Sequence, residues 1–198
     1  MSVIRAFIAI NISREIEQRL KVISGDLQQS LRGVPIRWVP IENIHLTLKF
    51  LGDVSTANLD LLKKMLEREA ADHPPFEFSV GELGAFPSIR RPRVIWVSVQ
   101  APQELLALQH GIDAETARLG YPREDRPFSP HLTLGRVSRG ATHDDTRKIS
   151  DVLSIYKVGY IGAAQVNAVH LYRSDLKPSG AFYTAIYSAP LSVERAGG

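Results

Sequence analysis

The chain has 198 residues, enough for one sizeable domain or two small lobes sharing a cleft. It has no cysteine, which excludes disulfides, thiolate metal sites and cysteine nucleophiles and fits a reducing cytoplasm. A net charge of +3 permits a phosphate-bearing partner without demanding one, and 44% hydrophobic residues leave ample material for a core.

The opening MSVIRAFIAINIS is interrupted by Arg5 and too short for a signal peptide or a membrane span, and no later stretch is long enough; Ile4 to Ile10 reads as a buried strand. Ser13 can cap a helix through Leu31, with Ile16, Leu20, Ile23 and Leu27 at three- to four-residue spacing. Trp38 and Val39 start extended chain, and Ile44 to Phe50 reads as a strand that Gly52-Asp53 turns. Ser55 or Thr56 can cap a helix to about Ala70, and Phe76 to Val80 is a strand. The second half repeats the order: strand Val94 to Val99, helix Pro102 to Leu119, strand His131 to Val137, helix His143 to Leu153, then strands Gln165 to Tyr172 and Phe182 to Tyr187. The tail after Leu191 is expected to be mobile.

The tetrapeptide HLTL occurs twice, at His45 and at His131, 86 residues apart and in matching places of a β-α-β-α-β order. This predicts an internal duplication, about 1–85 and 90–190, inside one bilobal domain over 1–198. The expected fold is α+β, with antiparallel-rich sheets lining a central cleft, helices outside and the terminal strands free to cross between lobes. Strand alternation puts His45 and Thr47 on one face and Leu46 and Leu48 on the other, and the same holds for His131 and Thr133 against Leu132 and Leu134. Across a pseudo-twofold, two imidazoles and two hydroxyls then converge. Displacement at phosphorus runs in line, so one group must take a proton from the nucleophile while another gives one to the leaving oxygen. Histidine does either near neutrality, and the threonines can donate to the non-bridging oxygens. Neither motif carries the Glu of a zinc helix or a flanking carboxylate cluster, so no metal is expected.

The paired motifs, and especially RPFSPHLTLGRV, resemble the two-histidine phosphoesterases. RAFIAI, IENIHLTLKFLGDV, FPSIRRPRVIWVSV and LYRSDLKPSGAFYTAIY resemble, within them, the RNA 2′,3′-cyclic phosphodiesterases, also called 2′-5′ RNA ligases. The resemblance implies metal-independent, cofactor-free hydrolysis of a ribose 2′,3′-cyclic phosphate to a 2′-phosphate, with 2′-5′ ligation as the reverse chemistry. It implies that His45 is the general acid and His131 the general base. Thr47 and Thr133 would support the phosphate, Arg136 would clamp it and Phe50 would stack on the terminal base. The implied partner is an RNA end, tRNA fragments among them, met by a cytoplasmic monomer that touches no membrane. A phosphodiesterase of a small cyclic nucleotide or other phosphoester, and a non-catalytic RNA-end-binding module, are the alternatives.

Strict alternation places Phe50 and Arg136 opposite the histidines, unless each strand bulges after its motif or the long side chains curl round the strand end. A core aromatic and a surface charge are the plain readings of the two. Lys49 falls on the His45 face as a solvated rim residue. His73, His110 and His143 read as unpartnered surface residues and His170 as structural. Arg90, Arg91 and Arg93 form a basic run in a loop, either merely solvated or steering an RNA backbone.

Overall fold

A computed structural model describes residues 2–177 and 180–192; most of the tail expected to be mobile lies outside the described residues. The elements in order are β1 (Val3–Ile10), α1 (Arg14–Ser30), β2 (Ile36–Trp38), β3 (Leu46–Ser55), α2 (Leu59–Ala71), β4 (Phe76–Ser88), β5 (Arg91–Gln100), α3 (Gln103–Arg118), β6 (His131–Val137), α4 (His143–Ile155), β7 (Tyr160–Val166), β8 (Ala168–Lys177) and β9 (Gly180–Pro190). Short 3-10 turns over Ile41–Asn43 and Thr56–Asn58 precede β3 and α2.

Local chemistry sets these elements. The Ser13 hydroxyl accepts from the Ile16 amide, and Ile16, Leu20, Ile23 and Leu27 bury one stripe of α1. A reciprocal capping box of Thr142 and Asp145 starts α4. Several strands outrun the sequence expectation. β3 does not turn at Gly52-Asp53: Gly52 takes φ +69°, and pairing with β1 continues to Ser55. β4 continues past Val80 to Ser88. Arg91 and Arg93 lie within β5, not in a loop. The expected strand from Gln165 to Tyr172 is two strands broken at Asn167, one in each sheet.

The strands form two antiparallel sheets, β3-β1-β8-β9 and β2-β6-β5-β4-β7. Strands cross between the halves of the chain: β8 and β9 complete the sheet of β1 and β3, while β2 and β4 complete that of β5 and β6. Helices α2 and α3 pack on the first sheet, and α1, α3 and α4 on the second. The motif leucines point into the core: Leu46, Leu132 and Leu134 are 0% exposed and Leu48 3%. Burial of each such side chain stabilises by roughly 1.5–3 kcal/mol, which fixes the register of both strands. The opposite faces are left for the histidines and threonines.

Candidate active site

The two motif strands lie where the sheets meet. β3 is the edge strand of the first sheet. β6 is separated from the edge of the second only by three-residue β2, which pairs with Gly135–Val137 and leaves His131 and Thr133 uncovered. β3 and β6 approach one another across this join. The connection is short: the Val39 amide donates to the Leu134 carbonyl at 2.8 Å, and His45 follows six residues later.

Both imidazoles are held in the same way. His45 Nδ1 lies 2.8 Å from the Asn43 carbonyl and His131 Nδ1 2.7 Å from the Ser129 carbonyl, each two residues upstream. A carbonyl only accepts, so Nδ1 carries the proton and donates. That leaves Nε2 of each ring for chemistry, without a hydrogen-bond partner among the described residues. The hydroxyls of Thr47 and Thr133 likewise have no protein partner among the described residues.

The surroundings differ. Phe7 stacks on His45 with centroids 4.6 Å apart, Tyr172 stacks on Phe7, and Tyr183 meets His45 edge-on at 5.2 Å. Asn43 donates to the Ala181 carbonyl at 2.8 Å, tying β9 to the turn that carries the His45 anchor. Burial in this aromatic box drives the His45 pKa down to about 4, against the opposing pull of the Asn43 carbonyl. His131 packs edge-on against Phe86 at 4.9 Å, with Trp96 beyond at 6.3 Å. Its pKa is also lowered, first by burial and further by the Arg136 charge, while the Ser129 carbonyl raises it.

A bulge follows each motif at the same leucine. On β3, Ala9 pairs with Thr47 and Ile8 with Lys49, so Leu48 is the extra residue. On β6, Trp96 pairs with Thr133 and Ile95 with Gly135, so Leu134 is the extra residue. Each bulge reverses the alternation. Phe50, 60% exposed, emerges on the His45 face beside Phe7, and Arg136 emerges on the His131 face. Lys49, expected at the solvated rim, is turned inward to 1% exposure and pairs with Asp113 at 2.6 Å. Phe50 and Arg136 occupy equivalent positions of the two motifs, 86 residues apart.

Other expectations are corrected too. His73 is no free surface residue; its Nε2 lies 3.0 Å from Glu69. His170, expected to be structural, needs no correction: it meets the Asn11 side chain at 3.3 Å, and Tyr172 donates to the same asparagine. Phe7, Tyr172, Tyr183, Phe86 and Trp96 do not stand out in the sequence. Alternation can flag Trp96, which shares a face of β5 with Val94 and Ser98. Phe86 is hidden because it lies beyond Val80, the expected end of β4. Among the described residues no group of three or more His, Cys, Asp or Glu side chains is arranged to hold a metal ion.

The family model described as "LigT like Phosphoesterase" matches twice, over residues 10–96 and 97–183. The chain belongs to the LigT-like phosphoesterases. Among relatives named RNA 2′,3′-cyclic phosphodiesterase, that of Methanothermobacter thermautotrophicus is 32% identical over 181 residues, covering 91% of this chain and 95% of its own. That of Escherichia coli is 28% identical, covering 92% and 93%. The crystal structure of Escherichia coli LigT complexed with 3′-AMP superposes with a TM-score of 0.75 at 27% identity, covering 96% of this chain and 99% of that one. A crystal structure from Thermus thermophilus superposes with a TM-score of 0.78 at 28% identity, covering 96% and 100%. A LigT-like phosphoesterase with two motif strands at a sheet–sheet join thus accounts for the duplicated HLTL.

Proposed function

We propose that this LigT-like phosphoesterase hydrolyses RNA 2′,3′-cyclic phosphate ends to 2′-phosphates, using its two motif histidines as acid and base. The observation that carries this is the matched suspension of His45 and His131, each by Nδ1 on the carbonyl two residues back, each with Nε2 uncommitted. The names borne by its relatives support the substrate class.

In this reading the phosphorus sits between the two rings. His131 Nε2 takes a proton from the attacking water as the water oxygen bonds to phosphorus. The bond from phosphorus to the 3′ oxygen breaks, and His45 Nε2 gives that oxygen its proton. Thr47 and Thr133 donate to the non-bridging oxygens where charge gathers, and Arg136 clamps them. Phe50 offers its exposed face to the terminal base. The acid must begin protonated. Burial opposes this at His45, so the bound phosphate anion has to raise its pKa; the site then becomes fully competent only when substrate is in place. With a nucleotide 5′-hydroxyl in place of water, the same steps form a 2′-5′ bond. The reading extends to a cytoplasmic monomer acting on RNA fragments such as those of tRNA. Among the described residues no helix is long and apolar enough to cross a membrane.

The test is incubation with an RNA ending in 2′,3′-cyclic phosphate, with EDTA present, and assignment of the product end. Full turnover to a 2′-phosphate is expected. A requirement for divalent metal, or a 3′-phosphate product, sinks the scheme. Equal turnover of a small cyclic nucleotide would move the substrate class, and binding without turnover would make it an RNA-end-binding module.

A further inference from the structure

β2 is only three residues long, yet it is pinned at both ends. The Ser138 amide donates to the Pro35 carbonyl and the Val39 amide to the Leu134 carbonyl, each at 2.8 Å. Trp38 lies opposite Gly135, where a Cβ would stand 2.9 Å from Ile36 Cγ2 and 3.0 Å from Trp38 Cε3. Glycine is therefore what lets the indole close on β6 and hold the register. That register puts Arg37 directly opposite Arg136. Opposed residues of an antiparallel pair project from one face, and the bulge at Leu134 has made this the His131 face.

Two guanidinium groups thus stand side by side at the edge of the site, both exposed. Like charges directly opposed repel. Among the described residues neither has a carboxylate at ion-pair distance or a side-chain hydrogen bond. The fold holds cations together without an internal partner, so the partner that relieves them comes from outside.

Arg37 stands on the edge strand β2 beside Arg136, five residues along β6 from His131. The reacting phosphate is served by the threonines and Arg136. On an RNA end the next anion is the phosphodiester linking the terminal nucleotide to its 5′ neighbour. We propose that Arg37, beside Arg136, holds that upstream phosphodiester, so that the enzyme favours an oligonucleotide end over an isolated cyclic nucleotide. The inference rests on the RNA-end reading above and adds a residue and a length preference to it.

The experiment compares kcat/KM for a nucleoside 2′,3′-cyclic phosphate with that for a short RNA ending in the same group, over a salt series, for the wild type, R37Q and R37K. In R37Q the oligonucleotide-to-mononucleotide ratio falls by about tenfold, the weight of one charged hydrogen-bonded contact. The salt slope on the oligonucleotide shrinks by about 0.7, one phosphate contact on a single strand, and R37K restores the slope. An unchanged ratio overturns the proposal. So does an equal loss on both substrates, which would assign Arg37 to the reacting phosphate or to folding. If the wild type turns over neither substrate, the catalytic reading fails separately, and binding decides this one. A labelled RNA ending in 2′-phosphate should then bind R37Q about tenfold more weakly than wild type, with inorganic phosphate a poor competitor; equal binding overturns it.

Discussion

The Lys49 ammonium lies 2.6 Å from the Asp113 carboxylate, beneath the bulge that follows the first motif. The same ammonium donates to the Pro122 carbonyl, and Asp113 accepts from the Glu124 amide at 3.4 Å. One ion pair therefore joins β3, α3 and the loop that leads to His131. Removing one partner of a buried pair strands the other charge. Lys49→Met is expected to destabilise the fold by about 3 kcal/mol, read by urea unfolding. Adding Asp113→Asn should recover part of the loss. A single-variant cost under about 0.5 kcal/mol, the size of an ordinary surface substitution, would show that the pair anchors nothing.

His45→Ala and His131→Ala should each lower kcat by at least about a hundredfold, the usual weight of a positioned acid or base. Circular dichroism should show each variant folded. Near-native kcat in either variant removes its role.

The pH profile of kcat/KM reports the free enzyme. Burial lowers both imidazoles, His45 to about 4. The profile should therefore be bell-shaped with its maximum on the acid side of pH 6.5. The kcat profile, which reports the complex, should peak at higher pH because the phosphate anion favours both charged rings. Coincident or flat profiles would argue against this pair.

Stability should follow the same imidazole. In the unfolded chain His45 takes a proton near its ordinary 6.5; in the folded protein it does so only near 4. The unfolded state then binds more protons as pH falls from 6.5 to 4, and stability is lost over that window by roughly 2–3 kcal/mol. His45→Gln should flatten this loss in denaturant titrations at pH 7 and pH 4.5. An equally steep loss in the variant would place the acid sensitivity elsewhere.

Phe50 is 60% exposed, so Phe50→Ala should leave the melting temperature within about 2 °C, as surface substitutions do. It should raise KM for a base-bearing substrate by about tenfold, the scale of one base–aromatic stack. Unaltered KM would return Phe50 to an ordinary surface residue.

The duplicated motifs are legible because period-two alternation shows in the sequence, and so are the helices, whose apolar stripes recur at three to four residues. The bulges are not. Leu48 and Leu134 look like any core leucine, and nothing local shows that pairing slips there. Alternation therefore misplaces everything just downstream of them, which is why Lys49 reads as a rim cation while Phe50 and Arg136 fall on the wrong face. The aromatic surroundings of both histidines depend on strand partners far apart in the chain. Tyr172 meets Phe7 through β1–β8 pairing, and Trp96 meets Thr133 of the second motif through β5–β6 pairing. Such pairings follow from topology, which periodicity does not encode.

The exchange of strands between the two sheets also governs when the molecule becomes able to act. β8 and β9 are the last strands in chain order, yet they lie beyond β1, the strand that borders β3 and its histidine motif. During synthesis His45 leaves the ribosome early but waits for Tyr172 and Tyr183, well over a hundred residues later, before its surroundings close. A nascent chain bearing both motifs would still lack a finished wall on the His45 side. Catalysis through His45 would thus be withheld until β8 and β9 have been made and have paired onto β1.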